Sequence, residues 1–215
     1  FYAESADLLE IALTSMEIAL GPDHLDISTI LNNLASVYEE LGRYDEAELL
    51  FLRSLAIREK LLGEEHLRVA TVLNNLGLLY VALGKYELAL PLYNRSLKIR
   101  ESKLGEDATE VATVLNNIAI LLYEDGEYEQ ALGYSERSLL IREDNLEPLD
   151  PRIATGLSNL AAIHSKLRNF TLAEPLLKRA ITIEEHSLGE EHPSLASSLN
   201  NLALLLKNQG KLLQA

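Results

Sequence analysis

The stretch "TVLNNLGLLY", Thr71–Tyr80, sets two adjacent asparagines inside lettering that otherwise spells a helix. Leu73, Leu76, Gly77 and Tyr80 keep the i, i+3, i+4, i+7 spacing of one helical face. Asn is a mediocre helix former, because its amide competes for backbone hydrogen bonds. The same lettering nevertheless returns as "TILNNLASVY" from Thr29, "TVLNNIAILL" from Thr113, "TGLSNLAAIH" from Thr155 and "SSLNNLALLL" from Ser197. A polar pair placed this regularly has a task.

The step between copies is 42 residues, and other letters keep it. Gly42, Gly84, Gly126 and Gly210 follow it, as do Tyr44, Tyr86, Tyr128 and Phe170, and Ala47, Ala89, Ala131, Ala173 and Ala215. Each period reads as two helices. In the second unit the first helix is predicted over about residues 69–83, ended by Gly84 in the usual C-terminal manner. The second is predicted over about residues 86–103, with Ala89, Tyr93 and Ser96 on one face. Either helix alone exposes an apolar side, so neighbouring units must stack to bury it. The expected fold class is therefore all-α, an α-solenoid of antiparallel helix pairs in one domain spanning 1–215. Its parts are the second helix of a preceding unit (1–24), full units at 25–66, 67–108, 109–150 and 151–192, and a partial unit at 193–215. The chain begins on Phe1 in mid-hairpin and neither end reads as a polar cap, so the array is expected to continue in a longer parent or to pack its ends on something.

Composition narrows the function classes. With 47% hydrophobic and 24% charged residues the chain reads as an ordinary globular sequence, and no apolar run nears the ~18 residues of a membrane span. No membrane partner is expected. Cysteine is absent, which excludes disulfides and thiolate metal sites and is compatible with a reducing, cytoplasmic setting. A net charge of -14 argues against nucleic acid as a partner.

Leu76-Gly77, Tyr80, Gly84, Tyr86, Ala89 and Tyr93 resemble the signature of the tetratricopeptide repeat, with Leu73 where that signature has its leading aromatic. The long unit, with its "LNNLA", "IRE" and "LG..H" blocks, is similar to the repeats of kinesin light chains. The resemblance covers essentially the whole chain. It implies a right-handed superhelix whose first helices line the concave surface.

On a helical wheel Asn74 and Asn75 lie about 110° and 150° from the centre of the core stripe, on the two flanks of the opposite face. The amides are thus expected in two columns, Asn32, Asn74, Asn116 and Asn200 in one and Asn33, Asn75, Asn117, Asn159 and Asn201 in the other. An amide offers two donors and an acceptor oxygen, suited to the backbone of an extended peptide. The resemblance implies that use, whereas strict periodicity fits amides that bridge adjacent first helices, and one column is open to that role. Leu78, Ile120 and Tyr123, with Val81 and Ala82, form an expected apolar patch on the same face. Such patches mark binding sites or pack between first helices. Arg58, Arg100 and Arg142 close the second helices within "IRE", on a face where a guanidinium needs a partner. They either snorkel to the groove to grip acidic groups, as the resemblance implies, or pair locally with acids such as Glu110 or Asp26. The fourth unit has Glu184 instead.

No catalytic residues, cofactor or metal site are expected. His24, His66 and His192 share one repeat-locked loop position, and no phosphate-cradling loop or nucleophile motif is present. The expected function is a non-catalytic scaffold that binds a short peptide segment of a partner protein, of adaptor or cargo-docking type. The alternatives are self-association through uncapped ends and a regulatory arm of a larger signalling protein.

Overall fold

The first-helix stripe and its glycine stop produce what their pattern predicts. In the computed structural model, residues 2–189 and 191–210 are described. The chain forms α1 (Tyr2–Leu20), α2 (Leu25–Glu40), α3 (Tyr44–Leu62), α4 (Leu67–Ala82) and α5 (Tyr86–Leu104), then α6 (Thr109–Glu124), α7 (Tyr128–Asn145), α8 (Pro151–Lys166), α9 (Phe170–Ser187) and α10 (Pro193–Asn208). No strand occurs among the described residues. The helices gather into two compact units, Phe1–Gly105 and Glu106–Ala215.

α4 starts two residues earlier than predicted, and a repeat-locked histidine caps it as it does α2 and α10. Nδ1 of His24, His66 and His192 accepts from the backbone N–H of Asp26, Arg68 and Ser194 respectively. Asp150 caps α8 in the same way, from the N–H of Arg152. These bonds satisfy donors that a helix start leaves open. At the other end of α4, Gly84 takes φ 67°. There the Lys85 N–H reaches Tyr80 O at 2.8 Å and the Gly84 N–H reaches Val81 O at 2.9 Å, the paired closure of a left-handed stop. The fourth repeat makes the same closure with Arg168 at φ 63°, a conformation that strains a side chain.

In unit 1 both first helices, and in unit 2 α8, are packed between two second helices. In unit 1, Ile27 and Leu31 of α2 meet Ile57 of α3 and Leu13 and Met16 of α1. Val69, Ala70 and Leu73 of α4 meet Ile99 of α5 and Leu55 of α3. In unit 2, Ile153, Ala154 and Leu157 of α8 meet Leu139 of α7 and Ala180 and Ile183 of α9. Gly77 lets the buried Tyr93 ring lie against α4, since a Cβ there would stand 2.6 Å from Tyr93 Cε1. Ser54, Ser96 and Ser138 each donate to a first-helix carbonyl, Ser28 O at 2.6 Å, Ala70 O at 2.8 Å and Ala112 O at 2.7 Å.

The inner side of each unit follows from which helices come closest. In unit 1, Cα atoms of α2 and α4 approach within 8 Å, but among the described residues those of α1 and α3, or α3 and α5, do not. In unit 2, α6 and α8, and α8 and α10, approach in that way and α7 and α9 do not. First helices therefore occupy the inside of the curve within each unit. On the outside, Arg53 pairs with Glu17 and Arg95 with Glu59, both at 2.6 Å, and Arg179 pairs with Glu143.

Candidate functional site

The asparagine pairs divide between two roles. Asn32, Asn74 and Asn116 are buried, at 8%, 8% and 7% exposure, although the wheel puts them on a flank of the outer face. For Asn32 and Asn116 the flank is covered because the next first helix of the same unit, α4 or α8, lies close enough to close over it. In unit 1, Asn75 Nδ2 donates to Asn32 Oδ1 at 3.2 Å. In unit 2, Asn159 Nδ2 donates to Asn116 Oδ1 at 2.9 Å. In both of these bridges the first asparagine of one repeat accepts from the second asparagine of the next. Between α8 and α10 the bridge is made instead by Ser158 and Ser198, whose hydroxyls are 3.2 Å apart.

The second column remains at the surface. Asn75, Asn117 and Asn159 are half-buried, and Asn33 and Asn201 are exposed, as is Asn200 of the first column. For Asn75 and Asn159 the bridge uses one of two N–H donors and leaves the side-chain oxygen uncommitted. Each of these residues borders a recess between adjacent first helices. The unit 1 recess has a volume of about 560 Å³ and is walled by Val37 and Glu39 of α2 and by Asn75, Leu78 and Val81 of α4, with Tyr2 of α1 at its rim. Unit 2 carries one of about 180 Å³, walled by Ile120, Tyr123, Asn159 and Ala162, and one of about 430 Å³, walled by Tyr123, Lys166, Asn201 and Leu204. Leu78 and Ile120 keep 40% and 36% exposure, so neither is consumed by packing between first helices. Tyr123 is half-buried, with the Lys166 ammonium 5.4 Å from its ring centroid.

Arg58 and Arg142 are placed otherwise than a snorkelling side chain requires. Arg58 keeps 4% exposure and Arg142 8%. Arg58 donates through Nε to Ser28 Oγ at 3.1 Å, through Nη1 to Arg68 O at 2.8 Å and through Nη2 to Ser28 O at 3.3 Å. Arg142 Nη1 donates to Arg152 O at 2.7 Å. The two guanidiniums therefore latch a second helix to the first turn of the next first helix, and their partners are carbonyls and a hydroxyl rather than the loop acids considered from sequence. Burial, with the Arg68 charge second, lowers the Arg58 pKa to about 10, which still leaves it a cation at neutral pH. Burial likewise lowers that of Arg142, with Arg152 adding to the effect. Arg100 is half-buried, with Nε 3.4 Å from Ser96 Oγ. At the equivalent place in α9 stands buried Glu184, whose Oε2 has no hydrogen-bond partner among the described residues.

Three wall residues of the unit 1 recess escape a reading of the sequence alone, Val37, Glu39 and Tyr2. Glu39 is one 42-residue step before Val81 and two before Tyr123, so reading down that column would have found it. Tyr2 carries no periodic signal.

No cluster of His, Cys, Asp or Glu among the described residues is arranged to hold a metal ion. No helix among them is long and apolar enough to cross a membrane.

Comparison with known proteins agrees with this architecture. The family model described as tetratricopeptide repeat matches residues 1–60, 26–102, 68–144, 110–183 and 152–215. No curated protein matches the sequence. Among solved structures, BtubC (BKLC) from P. vanneervenii is similar at 29% identity and TM-score 0.76, over 89% of this chain and 76% of that one. A Podosopora anserina kinesin-light-chain-type protein of nearly identical TPR-like repeats shares the fold at 23% identity and TM-score 0.75, over 87% of this chain and 89% of its own. The apo form of RapI shares it at 18% identity and TM-score 0.69, over 85% of this chain and 50% of its own. The chain belongs to the tetratricopeptide repeat family, in its kinesin-light-chain-like form, and is built as a protein-interaction scaffold.

Proposed function

We propose that this chain is a non-catalytic peptide-recognition scaffold of adaptor or cargo-docking type. Within a unit, a short extended segment of a partner protein lies along the inner faces of the first helices. The second-column amides hold its backbone, while Leu78 in unit 1 and Ile120 and Tyr123 in unit 2 select apolar side chains. The observation that carries the reading is the half-committed amide. Asn75 and Asn159 each give one N–H to a buried neighbour and border a recess with their remaining hydrogen-bonding capacity. That arrangement suits a ligand that brings its own backbone N–H and C=O groups, because amide contacts of this type do not depend on the ligand's side chains. The buried first-column amides and the latched Arg58 and Arg142 support the frame. The exposed members, Asn33 and Asn201, extend the same column.

Affinity for a single short segment is expected in the micromolar range, about 8 kcal/mol. The test is selection of peptides from a random display library, followed by titration of the selected peptides against Asn75→Ala, Asn159→Ala and the double variant. Each single change is expected to weaken binding by about 1 kcal/mol, with the helical fold retained by circular dichroism. Binding unchanged in the double variant contradicts the reading.

A further inference from the structure

The unit 1 recess differs from those of unit 2 in the charge of its wall. Glu39 and Glu40 of α2 both border it, next to Leu78, Val81 and Ala82 of α4 and the exposed ring of Tyr2. Glu39 is half-buried and makes no ion pair among the described residues. Burial, reinforced by the neighbouring Glu40 carboxylate, raises its pKa above the ordinary carboxylate value. Arg43 and Lys85, the cations that follow α2 and α4 in sequence, are engaged elsewhere. Arg43 lies over the Tyr38 ring at 3.8 Å and pairs with Glu46 at 3.0 Å. Lys85 pairs with Glu48 at 3.7 Å. In unit 2 the position of Glu39 is held by Tyr123 and Ser165, and that of Glu40 by Glu124 and Lys166. The acid pair beside an apolar wall is therefore a feature of the unit 1 recess.

A carboxylate withdrawn from water without a cation is poorly placed, and a ligand that supplies the cation relieves it. An apolar wall beside the acids accommodates the methylene stem of a long basic side chain, and an aromatic face at the rim accommodates its head group. We propose that the unit 1 recess is a subsite for a lysine or arginine of the bound segment, with an aliphatic residue beside it on Leu78 and Val81. This inference rests on the peptide-scaffold reading and assigns that ligand a basic character, where the kinesin-light-chain resemblance implies an acidic one.

The experiment uses the whole chain. Peptides selected from a random 12-residue display library are synthesised with a fluorophore, each also with its Lys or Arg replaced by Gln. Both forms are titrated against the wild-type chain, Glu39→Gln/Glu40→Gln and Asn75→Ala, with helicity checked by circular dichroism. Selected peptides are expected to carry Lys or Arg beside an aliphatic residue. Glu39→Gln/Glu40→Gln should weaken them on the order of tenfold while leaving the Gln-substituted peptides unchanged. Peptides that lose binding to Asn75→Ala but lack a basic residue, or are indifferent to Glu39→Gln/Glu40→Gln, overturn the subsite and leave the scaffold standing. Failure to select any peptide, or binding indifferent to every substitution, overturns both.

Discussion

Units 1 and 2 use one repeat but close the ends of their first helices differently. In unit 1 the stripe position near the end is tyrosine. Tyr38 donates to Glu10 at 2.5 Å and lies beneath Arg43, and Tyr80 donates to Glu48 at 2.8 Å with Lys85 5.6 Å from its ring. Burial and the Glu48 carboxylate push the Tyr80 hydroxyl up to about 12, so it stays a donor across the physiological range. In unit 2 the same positions hold Leu122 and His164. Both are buried, and His164 Nδ1 has no hydrogen-bond partner among the described residues. The helix-pair frame needs only a side chain of suitable bulk at this place. The tyrosine–carboxylate contact is an addition that unit 1 has and that these two helices of unit 2 lack; within unit 2 itself, α7 keeps the Arg142 latch while α9 has Glu184 in its place.

The largest effect is expected from the latch. Arg58→Ala removes a buried side chain and three hydrogen bonds, and should lower unfolding free energy by about 3 kcal/mol in urea denaturation. Glu184→Met should be neutral or stabilising, because no latch is lost there and an unpartnered buried carboxyl oxygen is removed. Equal losses at the two sites would break the comparison.

Gly77→Ala comes next. The added Cβ meets the fully buried Tyr93 ring, and overpacking is expected to cost about 2 kcal/mol even after the helix-propensity gain of alanine. Pairing it with Tyr93→Leu, the Ala161/Leu177 combination already present in unit 2, should restore part of the loss.

Arg168→Gly should stabilise by about 1 kcal/mol, since it relieves the φ of 63° while keeping the same backbone closure. Gly84→Arg, the reciprocal exchange in unit 1, should destabilise by a similar amount. Both are read from the shift of the denaturation midpoint.

The smallest effect is one of pH. Burial lowers the His164 pKa from its ordinary 6.5, with Glu136 opposing the shift. Above pH 6.5 the imidazole is neutral in folded and unfolded chains alike and imposes no penalty. As pH falls below that value the unfolded chain takes up a proton that the folded one resists, so stability declines until the folded pKa is reached. His164→Leu should flatten this part of the pH–stability curve, and Tyr80→Leu in unit 1 should not alter it.

The repeat, the helix pairing and the glycine stops were legible because each depends on local spacing. The stripe of Leu73, Leu76, Gly77 and Tyr80 is buried as its period requires. Asn32 and Asn116 were harder to place, because a single-helix wheel knows nothing of the neighbouring first helix that closes over their flank. The arginines were recognised as needing a partner, but for Arg58 and Arg142 the partner includes a backbone carbonyl in the next hairpin, and carbonyls carry no lettering. Glu39 was passed over for the opposite reason. Its column reads Val81 and Tyr123 in the later repeats, so its acidity shows only when the first copy is read as an exception.

The central claim is that the second-column amides, on the inner side of each unit, meet a ligand's backbone. Side-chain amide NMR during titration with a selected peptide tests it most directly. The account predicts that the Asn75 and Asn159 NH₂ resonances shift with saturation while the buried Asn32 and Asn116 resonances stay in place. Shifts confined to outer-face residues such as Arg95 and Arg179, with Asn75 and Asn159 unmoved at saturation, would contradict it.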